Sequence, residues 1–426
     1  MKKTILIMIA SFVGTVWAVD APKGPAAGTP DSGLISIRQF GVLPSNSPAL
    51  NKENLQKAID WASPRGAALY VEPSDEPYRV DGGILLKANV SLIGAHGPVG
   101  RGTRHPDKPQ PVGSVFAIED KQNVFLTVEH ATQIRGIQFW YPGQTLNDPE
   151  KVIEYPVTIQ CSKEKGAQGV TLSCLTFYGE FFAMDFSGSR GAIVEQILIE
   201  HCYGYPLSGQ FIRINYCYDI PRILHCHVNP ANRRFIDGGY SRPVKDAVVA
   251  RKTFTYWIDH TDNAQLMDLF TFGVYGGIYL GPATYGQLTN FNLDCVTVGL
   301  HKLGDNTFNR NWQISQGSII ANTAPQVEDI HPIIIEGQGH TAITNVEAFS
   351  GPNGALTTLN ISQDYMLVRG EEKLTITLVG CRMRNYVADH PFTILNPKAV
   401  IQAVACIDKN EDAFQYPPAD KPAVTK

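Results

Sequence analysis

Six short segments decide the fold: Thr171-Leu172-Ser173-Cys174-Leu175-Thr176-Phe177, Ile199-Glu200-His201-Cys202-Tyr203-Gly204-Tyr205, Ile223-Leu224-His225-Cys226-His227-Val228, Asn292-Leu293-Asp294-Cys295-Val296-Thr297-Val298, Leu378-Val379-Gly380-Cys381-Arg382-Met383 and Ala403-Val404-Ala405-Cys406-Ile407. Aligned on their cysteines, they put six of the eight cysteines in one column. The gaps are 28 residues from Cys174 to Cys202, 24 to Cys226 and 25 from Cys381 to Cys406. Met267-Asp268-Leu269-Phe270-Thr271-Phe272 and Ile343-Thr344-Asn345-Val346-Glu347-Ala348-Phe349 fit the longer gaps. A period of a few tens of residues with several short strands per unit is the mark of a solenoid. The segments are β-branched and aromatic and the loops between them carry Gly, Asn and Pro, so the solenoid is β rather than α.

The predicted architecture is all-β: a right-handed parallel β-helix of about ten coils, each about 4.8 Å from the next, with a short N-terminal capping helix. A column of cysteines on successive coils predicts small buried thiols stacked at a turn, since free cysteine is among the most buried residue types. One or two bridges are the alternative.

The 426 residues are 43% hydrophobic and 18% charged, which excludes a disordered chain or a coiled coil. The net charge of -4, with no long run of either sign, argues against a nucleic-acid partner. Lys2-Lys3 followed by the apolar runs Ile5 to Ala10 and Val13 to Ala18 has the layout of a signal peptide over residues 1–18. Residues 19–33, rich in Ala, Gly and Pro, read as a linker, and residues 34–426 as one β-helix domain with its cap at 34–66. No later stretch has the roughly 18 apolar residues of a membrane helix. Export to the periplasm or the extracellular space is expected, without membrane insertion.

Leu55, Ala58, Ile59 and Ala62 fall at helical spacing between Asn51 and Ala62, the one convincing helix of the chain. This helix would cap an open end of the coil stack. The entry Ile37-Arg38-Gln39-Phe40-Gly41-Val42, the helix around Asn54-Leu55-Gln56-Lys57-Ala58-Ile59-Asp60, the strand Ala68-Leu69-Tyr70-Val71-Glu72-Pro73, then Tyr78-Arg79-Val80 and Val90-Ser91-Leu92-Ile93-Gly94-Ala95, together resemble the N-terminal cap and first coils of the pectate-lyase-like β-helix superfamily. That superfamily holds polysaccharide lyases, polygalacturonase-related glycoside hydrolases and phage tailspikes. The resemblance implies a carbohydrate ligand. It does not carry over a mechanism: the Asp-Asp pair of the polygalacturonase branch is missing. Trp257-Ile258-Asp259-His260 repeats a pectate-lyase tetrapeptide without the Arg-x-Pro-x-x-Arg that follows it there.

Side chains alternate along a strand. Phe254, Tyr256 and Ile258 are therefore expected inward, and Thr255, Trp257 and Asp259 outward. The same phase turns Asp185, Arg213, Asn215, Tyr279 and Glu336 outward on other coils, so strands stacked in register would carry all of them on one face. Aromatic rings stack on sugars, a guanidinium clamps a uronate carboxylate, and carboxyl groups move protons. Asp259, Asp262 and Asp185 are the expected catalytic residues, with Arg213, Asn215, Trp257, His260, Tyr279 and Glu336 as substrate-binding residues. A hydrolase needs two carboxyl groups at defined separation, whereas a lyase needs a base and a cation beside the uronate. The residues fit both, and a glycan-binding protein without turnover is the alternative class.

No metal site is read in the sequence. His225-Cys226-His227 would put its histidines and its thiol on opposite faces of a strand, and no Cys-x-x-Cys or His-Glu-x-x-His occurs. No cofactor is expected, although the resemblance leaves calcium open, since some lyases of this fold use it. The expected partner is a polysaccharide or oligosaccharide, with a uronate-containing glycan as one of the alternatives.

Overall fold

The computed structural model describes residues 34–97, 104–304, 311–322, 329–349 and 361–418. The segments read as signal peptide and linker lie outside them. One coil shows the plan: strand Met184–Ser187, strand Val194–Glu200, a one-residue corner at His201, strand Tyr203–Gly204, then Ile212–Asn215, which returns beside Met184–Ser187. Each coil thus contributes a strand to each of three faces, and the coils pair in parallel. The first face is a sheet of eleven parallel strands, from Ile84–Leu86 to Phe392–Ile394, so the count slightly exceeds the ten coils expected.

The corner between the second and third faces is a ladder of left-handed residues. Cys174, His201, His225, Asp268, Asn290, Gln316, Asn345 and Ala405 fall in register from coil to coil, with φ between 50° and 55°. A single residue at positive φ turns the strand sharply, and Asn, Asp and His tolerate that region better than most. The residue after it points inward, and here lie Leu175, Cys202, Cys226, Leu269, Val346, Cys381 and Cys406, all buried.

The cysteine column is therefore real for four residues and wrong for two. Cys174 is itself a corner residue and leaves the inward place to Leu175, and Cys295 sits at a different corner, at φ 52°. Both errors come from aligning on cysteine rather than on the turn. All eight cysteines are free.

The interior is a continuous apolar column, with Phe139 stacked on Phe177 at 5.1 Å and Phe177 edge-on to Phe211 at 5.6 Å. Each large side chain so buried contributes about 1.5–3 kcal/mol. Helix α1 (Pro48–Ala62) starts where the Ser47 hydroxyl accepts from the Leu50 amide, with Pro48 at the first helical position. It buries Leu55, Ala58, Ile59 and Ala62 against the first coils, as the cap reading requires. Strand Ala413–Tyr416 runs antiparallel along the last coil and covers its edge.

Two shorter helices, α2 (Arg234–Asp237) and α3 (Arg242–Ala250), stand in an insertion before strand Phe254–Ile258 and were not expected. Helix α3 has a Ser241 cap and Pro243 in its first turn, and it buries Val244, Val248 and Val249. No helix among the described residues is long and apolar enough to cross a membrane.

Candidate active site on the first face

Four of the expected residues form one row. Asp185 pairs with Arg213, Arg213 with Trp257 and Trp257 with Tyr279, each on the next coil, and the row runs on through His301 to Ile334 and Leu367. The rings are in contact: Trp257 and Tyr279 have centroids 4.3 Å apart, and Tyr279 meets His301 edge to face at 5.2 Å. The Arg213 guanidinium lies 5.9 Å from the indole centroid, and its buried Nε has no hydrogen-bond partner. A buried donor without a partner is costly.

Two residues further along the strands, Ser187 pairs with Asn215, and the register continues to Asp259 and Gly281. Burial pushes the Asp259 carboxyl above the ordinary aspartate range, against the opposing pull of the His260 amide, Arg213 and the Trp257 indole. Asn215 is committed locally, accepting from the Tyr216 amide at 2.9 Å. Burial also raises the Tyr279 phenol, helped by the negative charges of Asp259 and Glu336, so it stays protonated and can donate.

The other expected carboxylates are held elsewhere. Asp185 is bonded to Lys163 at 3.1 Å and accepts from the Ser187 amide. It stands two coils from Asp259, roughly 12 Å between Cα positions on coils about 4.8 Å apart. Glu336 lies three coils from Asp259 in the same register column, about 14 Å away. It accepts from His301 Nε2 at 2.7 Å and from Arg369, and these bonds, His301 first, hold it ionised with a pKa of about 2.

Asp262 and His260 leave the face altogether. Asp262 accepts from the Tyr285 hydroxyl, and His260, at φ 40°, stacks on Tyr216 at 4.1 Å. Of the four expected carboxyls, Asp259 has no ion pair among the described residues, whereas Asp185 and Glu336 are tied to cations and Asp262 to a phenol.

One expectation of side-chain phase is reversed. Phe254 lies outward, in an apolar cluster with Val298, Ile334 and Leu367 on which Trp257, Tyr275 and Tyr279 pack. Thr255 is fully buried, its hydroxyl bonded to that of Thr271 at 3.1 Å. Gly277 has its Cβ direction toward interior Leu293, matching Thr255 on the neighbouring strand. The irregularity shifts the alternation by one residue, as a bulge does, and so aims Trp257 and Asp259 correctly while misplacing Phe254.

This cluster floors a groove of 600 Å³ that continues the row toward the C-terminal coils, with His301, His331, Asp364, Tyr275 and Arg369 among its lining residues. His331 Nδ1 is 3.0 Å from fully buried Asp364. None of these five residues was expected. A signal for His301 was present, since Gly299-Leu300-His301 repeats Gly277-Ile278-Tyr279 one coil later. A second cavity, 680 Å³, lies near Arg38, Asp75, His96 and Gln138 and has no Trp, Tyr or Phe in its lining. No cluster of three metal-ligating side chains occurs among the described residues.

With the groove in place, comparison with known proteins shows what kind of scaffold carries it. No family model matches the chain, and no curated protein does. Solved structures do. The A-module of the Azotobacter vinelandii mannuronan C-5 epimerase AlgE6 superposes with a TM-score of 0.51 at 10% identity, over 88% of this chain and 99% of that one. The chain is a right-handed parallel β-helix. A tailspike mutant of E. coli bacteriophage HK620, in complex with a hexasaccharide, superposes at 0.50 and 13% identity, over 87% of this chain and 66% of the tailspike. A pentasaccharide complex of the same tailspike gives 0.50 at 12%. At such identities the likeness is one of fold, the fold of pectate-lyase-like proteins, and the chemistry must come from this chain's own residues.

Proposed function

We propose that the first face binds a uronate-containing polysaccharide or oligosaccharide along the rod and cleaves it by β-elimination. The observation that carries this reading is the row Arg213, Trp257, Tyr279 beside Asp259, a cation and two rings next to a carboxyl that has no ion pair among the described residues, while Asp185 and Glu336 are each tied to a cation. Sugar rings stack on Trp257 and Tyr279. The uronate carboxylate meets the guanidinium of Arg213, whose charge makes the proton on the adjacent carbon more acidic.

A base takes that C5 proton and the electron pair of the C5–H bond becomes the C4–C5 double bond. The bond from C4 to the glycosidic oxygen breaks, and the departing oxygen takes a proton from Asp259, whose raised pKa keeps more of it in the acid form than an exposed aspartate. Hydrolysis would need a second carboxyl to activate water or attack the sugar, and Asp185 and Glu336 are each bound to cations of their own. The protein acts after export, directed by residues 1–18, and Arg213 takes the role that a metal cation would fill.

The test is to incubate the mature protein with polymannuronate, polygalacturonate and a neutral glucan, following reducing ends and ultraviolet absorbance together. New ends with absorbance on a polyuronate are expected. New ends without absorbance would mean hydrolysis. Binding without new ends would mean a glycan-binding rod.

A further inference from the structure

The elimination just described needs a base, and none of the residues expected from the sequence fills that role. We propose that His301 is this base and that Glu336, locked in place by Arg369, is the residue that positions it. The inference rests on the elimination reading of the first face.

His301 stands next to Tyr279 in the row that carries the sugar platform, and its ring also meets Phe254 at 5.9 Å. Tyr279 is the common neighbour of acid and base. A Cβ on Gly281 would be 2.6 Å from Asp259 Oδ1 and 3.0 Å from Tyr279 Cε1, so the Asp259 carboxyl lies near the phenol ring that also meets Trp257, Phe254 and His301. A sugar unit stacked on Tyr279 would then have a proton donor and a proton acceptor within reach.

The imidazole is oriented. Nε2 donates to Glu336 Oε1 at 2.7 Å, which leaves the lone pair on Nδ1 in the neutral ring. Nδ1 has no hydrogen-bond partner among the described residues. Glu336 does not swing, since its second oxygen accepts from Arg369 Nε and the guanidinium Nη2 lies 3.4 Å from the first. A carboxylate behind a histidine fixes the tautomer and stabilises the imidazolium that forms when the ring accepts a proton. The charged and titratable groups nearest His301 are Glu336 and, through it, Arg369 from the C-terminal side, and Tyr279 from the N-terminal side, and the same groove is lined by Lys252, Tyr275, Asp329, His331 and Asp364. In the step itself, Nδ1 gains the C5 proton and the C5–H pair forms the double bond. The glycosidic oxygen leaves with a proton from Asp259, and the imidazolium returns its proton to water.

The experiment compares wild type, His301→Gln and Glu336→Gln on polymannuronate and polygalacturonate, with binding measured separately by calorimetry and folding by circular dichroism. His301→Gln is expected to bind as wild type does and to lose about 10²–10⁴ in kcat with little change in KM. Glu336→Gln, which keeps an acceptor but loses the charge, is expected to lower kcat by at least about tenfold with little change in KM, because the imidazolium loses its anionic neighbour. Wild-type kcat in a folded His301→Gln variant, or a Glu336→Gln variant that keeps wild-type kcat or loses affinity instead of turnover, overturns the assignment while leaving elimination standing. Failure of the wild type to release unsaturated product from either polymer overturns elimination, and the assignment with it.

Discussion

The Asp259 carboxyl fills the space that a side chain at position 281 would take: a Cβ on Gly281 would lie 2.6 Å from Asp259 Oδ1. Gly281 is needed there for room and not for its backbone angles. Gly281→Ala should therefore displace the carboxyl and lower kcat on a polyuronate by at least about tenfold, and Asp259→Asn by about 10²–10⁴. Both should melt close to wild type. Full activity in a folded Asp259→Asn protein would remove that residue from the mechanism.

The rings make a separate prediction. Trp257→Ala and Tyr279→Ala each take away half of a platform whose centroids lie 4.3 Å apart. Affinity for an oligouronate should fall by about tenfold in each, or 1.4 kcal/mol, and a double variant should lose less than the sum because the rings touch. Strict additivity in calorimetry would mean that the two do not hold one ligand together.

How far the sequence could be read is visible in particular residues. The coil was legible because Cys202, Cys226, Cys381 and Cys406 all follow a left-handed corner. Cys174 and Cys295 misled because thiols also suit corners, and only backbone angles separate the two places. The row Asp185, Arg213, Trp257, Tyr279 was legible from alternation alone. The alternation failed at Phe254 and Thr255, where the register shifts by one residue, a local event that leaves no hydrophobic pattern. Asp262 and His260 were assigned to the face by proximity in sequence, yet the chain turns at His260 and takes both away. His301, Glu336 and Arg369 come from three coils far apart in sequence, so their meeting depends on the exact length of every loop between them.

Glu180 gives a pH prediction unrelated to catalysis. It is fully buried, one oxygen accepting from the Tyr205 amide at 2.7 Å and the other without a partner. Burial pushes its pKa up to about 8, against weaker opposing pulls from backbone amides and Arg233. The folded state then holds a proton that the unfolded chain has released, so this group's contribution to stability falls as pH rises from about 4.5 to 8, by up to about 1.4 kcal/mol per unit. Glu180→Gln keeps an acceptor for Tyr205 and should flatten that decline in denaturant melts across the same window. An unchanged slope would mean that Glu180 is ionised in the fold.

The thiols should be inert until the rod opens. Seven of the eight cysteines are buried and all are free. A thiol reagent should react slowly with the native protein and count eight groups in guanidinium chloride without reductant. A count below eight would mean that the ladder closes into bridges.

A chelator offers a further check, since Arg213 supplies the positive charge in this account. Cleavage of a polyuronate should be unaffected by removal of divalent cations. Its loss on chelation and its return with calcium would put a metal ion where the guanidinium is assigned.

The most direct measurement is a crystal structure of the mature protein with a bound oligouronate. The account predicts a sugar ring over Trp257 and Tyr279, with its carboxylate against Arg213 and its glycosidic oxygen toward Asp259. An oligosaccharide bound away from the first face, for example in the 680 Å³ cavity near Arg38 and His96, would contradict it.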